Sequence, residues 1–271
     1  MSKKNKIQWC DSTVNPTTKC NQRPGRMWEA ASFSDLTRRP QSRKSWLLDL
    51  PRLIFIGHMA DNFSSAISFE YLRDEVIGAV ISEKGRRHQW QWLTISPHRM
   101  AEFSNWLATQ GIAWPVNLWA GTSVTTKATL PQITDLAGVG DETTIRFVSV
   151  EPQWEKIDFV YHLEKLDWVI QGGESGSTEH PFDLGWAEAL QEECREARVP
   201  YFLKQLGAHV TCDGHRMKFS DSHGGKWLEW PESLGVRQMP IYVARTPDKA
   251  DVRRRDVERE SNGYEGDSDD C

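Results

Sequence analysis

The stretch DWVIQGGESG, residues 167–176, decides the fold. Its strand portion is apolar on both faces instead of alternating, as in a strand buried within a parallel sheet, and a glycine-rich polar turn follows at once. Six further segments repeat this arrangement: KIQWC (6–10), RLIFIGHMADNF (52–63), HQWQWLTISPHR (88–99), VNLWAGTSV (116–124), IRFVSVEP (145–152) and VPYFLKQLG (199–207). Helical patterns lie between several of them, over 68–85, 97–111 and 183–200, the last with Asp183 as a cap and Pro200 as its stop. Strands alternating with helices imply βαβ units and a parallel sheet. Seven such units without a dinucleotide fingerprint predict an α/β chain built as a partial or closed TIM-type (β/α) barrel.

In such barrels the loops at the carboxyl ends of the strands build the site. Polar groups follow the strands here: His58, Met59, Asp61 and Asn62, then Thr94, Ser96 and Arg99, then Thr122 and Ser123. Glu151, then Glu174 and Ser175, then Lys204 and Gln205 complete the series. Six strand ends supplying polar groups to one mouth exceed what folding requires, so a functional pocket is expected there.

Individual motifs each admit two readings. Gly172 and Gly173 would let the backbone approach a ligand, with exposed N–H groups for an anion and Glu174 as an ammonium receptor or a base. The alternative is a tight turn in which Glu174 and Ser175 cap the next helix. If Glu151 and Glu174 face one mouth they repel unless Lys204 or an arginine compensates, and a structural salt bridge from Lys204 competes with a ligand role. His58, Asp61 and Asn62 read either as metal ligands or as a hydrogen-bonded loop, with no second histidine or cysteine at ligand spacing. Cys194 reads as a packing residue, and the segment 220–240 as a packed extension or lid.

Bulk properties narrow the function classes. The chain has 271 residues, 26% of them charged, and a net charge of −5, which gives no global reason to bind nucleic acid. A local basic cluster, Arg38, Arg39, Arg43 and Lys44 with Arg23 and Arg26 upstream, is either a solvated loop or a phosphate-facing patch. Five cysteines without regular spacing do not form a disulfide framework. No apolar run long enough for a membrane span and no signal peptide occurs, so a cytoplasmic protein with reduced thiols is expected. A single domain is expected over 1–243, with a lid from about 208, followed by a charged, disordered tail over 244–271.

The ordered set IQWCDSTVNPTTKC, IFIGHMADNF, LTISPHRM, NLWAGTSV, RFVSVEP, DWVIQGGESG, VPYFLKQLG and HGGKWLEWPESLGVRQMP resembles the phage-associated three-cysteine-motif proteins, which look like radical S-adenosylmethionine (SAM) enzymes. The resemblance covers roughly residues 6–242. It implies a partial TIM-type, radical-SAM-like barrel in a phage-infected or prophage-bearing bacterial host. It also implies three cysteines holding a 4Fe–4S cluster whose open iron is chelated by SAM. In the loop NPTTKCNQRPGRMWEA, residues 15–30, Cys20 matches the first ligand, Arg26 stands in the place of the second, and the third is missing. A single thiolate cannot hold a cluster, and a guanidinium repels a cationic metal centre. Cys10, at the end of the expected first strand, is a substitute ligand outside the family pattern. GGESG resembles the motif that receives the SAM amino group, although it follows the sixth strand here instead of the second. Arg26 is expected to pair with Glu151 or Glu174, or to hold an anionic ligand.

Two functions follow as expectations. In one, the cluster is lost and the pocket of Asp61, Glu151, Glu174 and Lys204 binds SAM, another small nucleotide-like ligand or a protein partner, in a regulatory role. In the other, the chain remains an enzyme acting on a nucleoside, nucleic acid or peptide, with a noncanonical cluster or with none.

Overall fold

Residues 6–9 of the expected first strand, KIQWC, lie outside the described residues. β1 is Ser12–Val14, later than KIQWC, and Cys10 precedes it instead of ending it. Pairing with the neighbouring strand decides the position: Asp11 N–H donates to the Leu53 carbonyl at 2.8 Å, and the Leu53 N–H donates to Asp11 Oδ2 at 2.8 Å. The computed structural model describes residues 10–14, 16, 51–57, 61–175 and 180–240. The chain divides into the units Met1–Met239 and Pro240–Cys271, and the strands and helices among the described residues all lie in the first. The expected tail, 244–271, lies outside the described residues.

The remaining strands of the main sheet are β2 (Leu53–Ile56), β3 (Gln89–Thr94), β4 (Leu118–Ser123), β5 (Arg146–Val150), β6 (Trp168–Gly172) and β8 (Tyr201–Gln205). All pair in parallel, in the order β1-β2-β3-β4-β5-β6-β8. An order that never reverses has no topological switch point, which distinguishes it from a doubly wound sheet. Right-handed crossovers then put every helix on one face and leave the other concave. The fold is α/β, a curled seven-stranded parallel half-barrel flanked by helices.

Residue alternation separates the two faces. Ile54, Trp90, Trp92, Ala120, Val148, Val169 and Leu203 join one apolar core with the helices. There α3 (Pro97–Thr109) buries Met100, Phe103 and Leu107 at helical spacing, and Trp92 packs edge-on to Phe103 at 5.9 Å. α5 (Leu184–Ala197) buries Leu184, Ala187, Leu190 and Cys194; Asp183 caps it by accepting from the Gly185 N–H at 2.9 Å. The expected helix over 68–85 is shorter and interrupted: α1 (Phe69–Leu72), a π-turn (Arg73–Ile77) and α2 (Gly78–Ile81). α4 (Gln132–Ala137) precedes β5, and only a 3-10 turn (Leu163–Lys165) lies between β5 and β6.

The concave face carries a second aromatic layer. Trp168 sits between Trp119, Phe147 and Phe202, with centroids at 6.0, 5.8 and 6.0 Å. Gly121 leaves room for the Phe147 ring, since a Cβ there would lie 2.3 Å from Cζ.

The segment expected as a lid closes the sheet's last edge. β9 (Val210–Cys212) pairs with β7 (Phe182–Asp183) and β10 (His215–Arg216) in a small second sheet. Farther on, the Leu203 N–H donates to the Val236 carbonyl at 3.1 Å and the Gln238 N–H to the Tyr201 carbonyl at 2.8 Å. Covering an edge strand in this way removes a template for aggregation. Arg237 locks the strap: its Nε and Nη2 donate to the Leu203 and Lys204 carbonyls at 3.1 and 2.9 Å. The guanidinium lies 5.2–5.6 Å from the rings of Phe202, Trp227 and Trp230, and burial pulls its pKa below the ordinary value.

Candidate functional site

Alternation continues into the strand ends. Ser123, Ser149, Gly172 and Lys204 stand on the concave face, and Glu151 follows Ser149 by two residues. β5 and β8 flank β6, so their backbones are about 10 Å apart at sheet spacing. Glu151 and Lys204 nonetheless meet: Nζ donates to Oε1 and Oε2 at 2.6 and 2.7 Å. They do so over Gly172, where a Cβ would lie 3.3 Å from Glu151 Cγ and 3.2 Å from the Gln205 carbonyl oxygen. Gln205 Nε2 adds a bond to Glu151 Oε1 at 3.1 Å. The Glu151 and Lys204 side chains are only 15% and 19% exposed, so the pair is substantially withdrawn from water.

Gly173 serves a second close approach. A Cβ there would sit 2.2 Å from the Leu206 carbonyl oxygen, and its N–H donates to the Gln205 carbonyl at 3.1 Å. The paired glycines thus let β6 and β8 exit side by side, and the Gly173 N–H expected for an anion is bonded within the protein. The Glu151–Pro152 peptide is cis, and the turn it opens is braced by Gln153 N–H to the Gly172 carbonyl and Trp154 N–H to the Thr125 carbonyl.

Glu174 turns to a different partner. Its Oε2 accepts from His180 Nδ1 at 2.6 Å and from the His180 N–H at 3.1 Å. The His180 side-chain hydrogen bond, followed by the backbone one, holds the Glu174 carboxyl below its ordinary value. Trp154, 43% exposed, lies against the imidazole in a tilted contact, with centroids 5.2 Å apart and 39° between the planes. Ser175 directly follows Glu174 as an exposed turn residue and does not cap a helix; the next helix is capped by Asp183.

The β2 and β3 ends form a separate, closed network. Asp61 Oδ1 accepts from Thr94 Oγ1 at 2.6 Å and the Phe63 N–H at 3.1 Å, while Oδ2 accepts from Ser96 Oγ at 2.9 Å. Asn62 is fully buried and accepts from Trp92 Nε1 at 3.0 Å. These residues tie two loops together, which matches the hydrogen-bonded reading of that motif. Ser123 is half-buried at the end of β4, in register with Ser149. His58, Met59, Cys20 and Arg26, with the basic cluster from Arg38 to Lys44, lie outside the described residues, as does any pairing of Arg26 with a rim carboxylate.

Residues 25–267 match the family described as "Protein of unknown function (DUF5131)". The chain belongs to that family. No curated protein and no solved structure matches it.

Three features of this DUF5131 chain carry no signature as sequence motifs. Trp154 and His180 are two; only the loop closures bring them to Glu174. The third is Gln91 on β3, opposite in face to Trp90 and Trp92 and flanked in register by Phe55 and Trp119. It is fully buried, and neither Oε1 nor Nε2 has a hydrogen-bond partner among the described residues. A glutamine in the middle of an apolar strand was the available signal. Its counterpart Gln171, on the helix-facing side, is satisfied by Gln153, Trp186 and the hydroxyl of Tyr201, whose phenol burial pushes well above its usual pKa.

Proposed function

We propose that this chain is a radical-SAM-like half-barrel that binds a nucleoside-type ligand on its concave face and acts as a binding or regulatory protein without cluster chemistry. The observation that carries this is Gln91. A buried amide left with donor and acceptor both unbonded demands a partner, because each unmade bond costs about 1–3 kcal/mol. A planar ligand edge presenting one acceptor beside one donor satisfies both groups at once, and a nucleobase edge has that pattern.

The rim fits the rest of such a ligand. Glu151 and Lys204 offer a carboxylate and an ammonium, Gln205 an amide, and the exposed Trp154 ring a stacking surface. Among the described residues, the Lys204 ammonium is already paired with Glu151 and the Glu174 carboxylate with His180, which favours neutral or cationic ligands over phosphates. SAM meets that condition: its ammonium suits a rim carboxylate and its own carboxylate suits Lys204. A 4Fe–4S cluster does not fit the donor set, since the loop 15–30 supplies Cys20 alone. The phage-associated setting implied by the motif resemblance is compatible with this role and names no substrate.

Calorimetry with SAM, adenosine and ATP tests the reading. SAM or adenosine should bind, ATP more weakly, and Gln91→Leu should weaken binding at least about tenfold. Binding of none of the three by the wild type would refute it. Anaerobic iron–sulfide reconstitution tests the second part: about four irons per chain, lost in Cys20→Ala, would reinstate the cluster.

A further inference from the structure

The Glu174–His180 contact has a chemical consequence that a ligand-binding role does not require. We propose that His180 is a general base, positioned by Glu174, that removes the proton of a hydroxyl group during attack on an uncharged ester at the rim.

The carboxylate sets the tautomer of the ring. An ionised carboxylate only accepts hydrogen bonds, and a glutamate carboxyl is ionised at neutral pH. Nδ1, 2.6 Å from Oε2, must therefore carry a proton. In the neutral ring the lone pair is then on Nε2. Fixing one ring nitrogen on a carboxylate so that the other can accept a proton is the arrangement general-base catalysis needs. Two further contacts hold the ring: the His180 backbone N–H on the same oxygen at 3.1 Å, and the Trp154 ring tilted against it at 5.2 Å. The two members differ in access. The His180 side chain is 56% exposed and that of Glu174 is 19% exposed, so the base meets solvent while its partner is held behind it.

The step balances without a cofactor. Nε2 takes the proton of water, or of a hydroxyl on the ligand, as that oxygen bonds to the ester carbonyl carbon. The ester C–O bond then breaks, and the departing alkoxide recovers the proton from Nε2. Among the described residues, the Lys204 ammonium is already paired with Glu151 and the Glu174 carboxylate with His180, so an ester without a charge of its own needs no further counter-ion there. Glu174 is a positioning residue in this scheme and does not touch the substrate.

Two measurements on the full-length chain test the proposal, neither depending on whether SAM or adenosine binds. Long-range proton–nitrogen NMR of histidine-labelled protein at mildly alkaline pH, with His180 assigned by His180→Gln, should show Nδ1 protonated and Nε2 bare. Glu174→Leu should shift that ring toward the Nε2-protonated form. Hydrolysis of 4-nitrophenyl acetate, a neutral probe ester, should fall at least about tenfold in both His180→Gln and His180→Asn. A wild-type His180 protonated on Nε2 overturns the proposal, as does an unchanged hydrolysis rate in folded His180 variants. The NMR arm stands on the wild type alone, so a variant that fails to fold does not remove the test.

Discussion

Replacing Lys204 with methionine leaves Glu151 with Gln205 Nε2, at 3.1 Å, as its remaining side-chain donor among the described residues, in a site where the carboxylate is 15% exposed. Removing one member of a fully buried pair costs about 3–5 kcal/mol, and an exposed pair is worth about 0–1 kcal/mol. This pair is short and bidentate and retains some water access, which places the loss at about 2–3 kcal/mol at neutral pH. The Glu151→Gln/Lys204→Met double variant removes both charges and should stay within about 1 kcal/mol of wild type, a coupling of about 2 kcal/mol. Urea unfolding followed by tryptophan fluorescence reads Lys204→Met, Glu151→Gln and the double variant, with thirteen tryptophans as reporters. A Lys204→Met loss below about 0.5 kcal/mol, or additive single and double variants, would refute the account of a desolvated pair spanning Gly172.

Gly173→Ala drives a Cβ to 2.2 Å from the Leu206 carbonyl oxygen, so backbone must move, and a loss of about 1–3 kcal/mol is expected in the same urea assay. Arg237→Leu removes two carbonyl contacts at the sheet edge, and hydrogen exchange should show faster exchange at Leu203 and Gln238, whose N–H groups pair with the strap. Burial pushes the Cys194 thiol up to about 12, so in native protein it should not react with a disulfide reagent at mildly alkaline pH and should do so on unfolding. The Glu174 carboxyl is held below its ordinary value, so it contributes stability above the unfolded value that is lost as pH falls through the folded one. The stability gap between wild type and Glu174→Leu should accordingly close in acid, as urea melts across that range will show.

The order of elements was legible in the sequence because buried parallel strands carry apolar residues on both faces, and VIQG, FVSV and YFL need no partner to be read that way. Asp183 likewise sets the start of α5 by local chemistry as its N-cap, and the helix ends ahead of Pro200, at Arg198 in the left-handed conformation. Residues at the strand ends were expected at one rim, and Glu151, Lys204, Gln205, Gly172 and Gly173 do meet there. How they meet depended on distances that no local pattern encodes. Glu151 is separated from Lys204 in sequence by 53 positions, and the two join only because β6 lies between their strands with a glycine at the crossing. The glycines that read as a ligand cradle are explained by that crossing and by the backbone of Leu206. His180 and Trp154 belong to no motif; the turn bonded to Gly172 and Thr125 carries Trp154 to the His180 ring, and His180 bonds Glu174. Gln91 shows the division most plainly. Its sequence neighbours place it in a strand, whereas only the curl of the sheet decides that its amide faces the concave side with nothing to bond. Periodicity and turn chemistry act over a few residues, and so the sequence by itself determined the elements, while the meeting of distant side chains was decided by the tertiary structure.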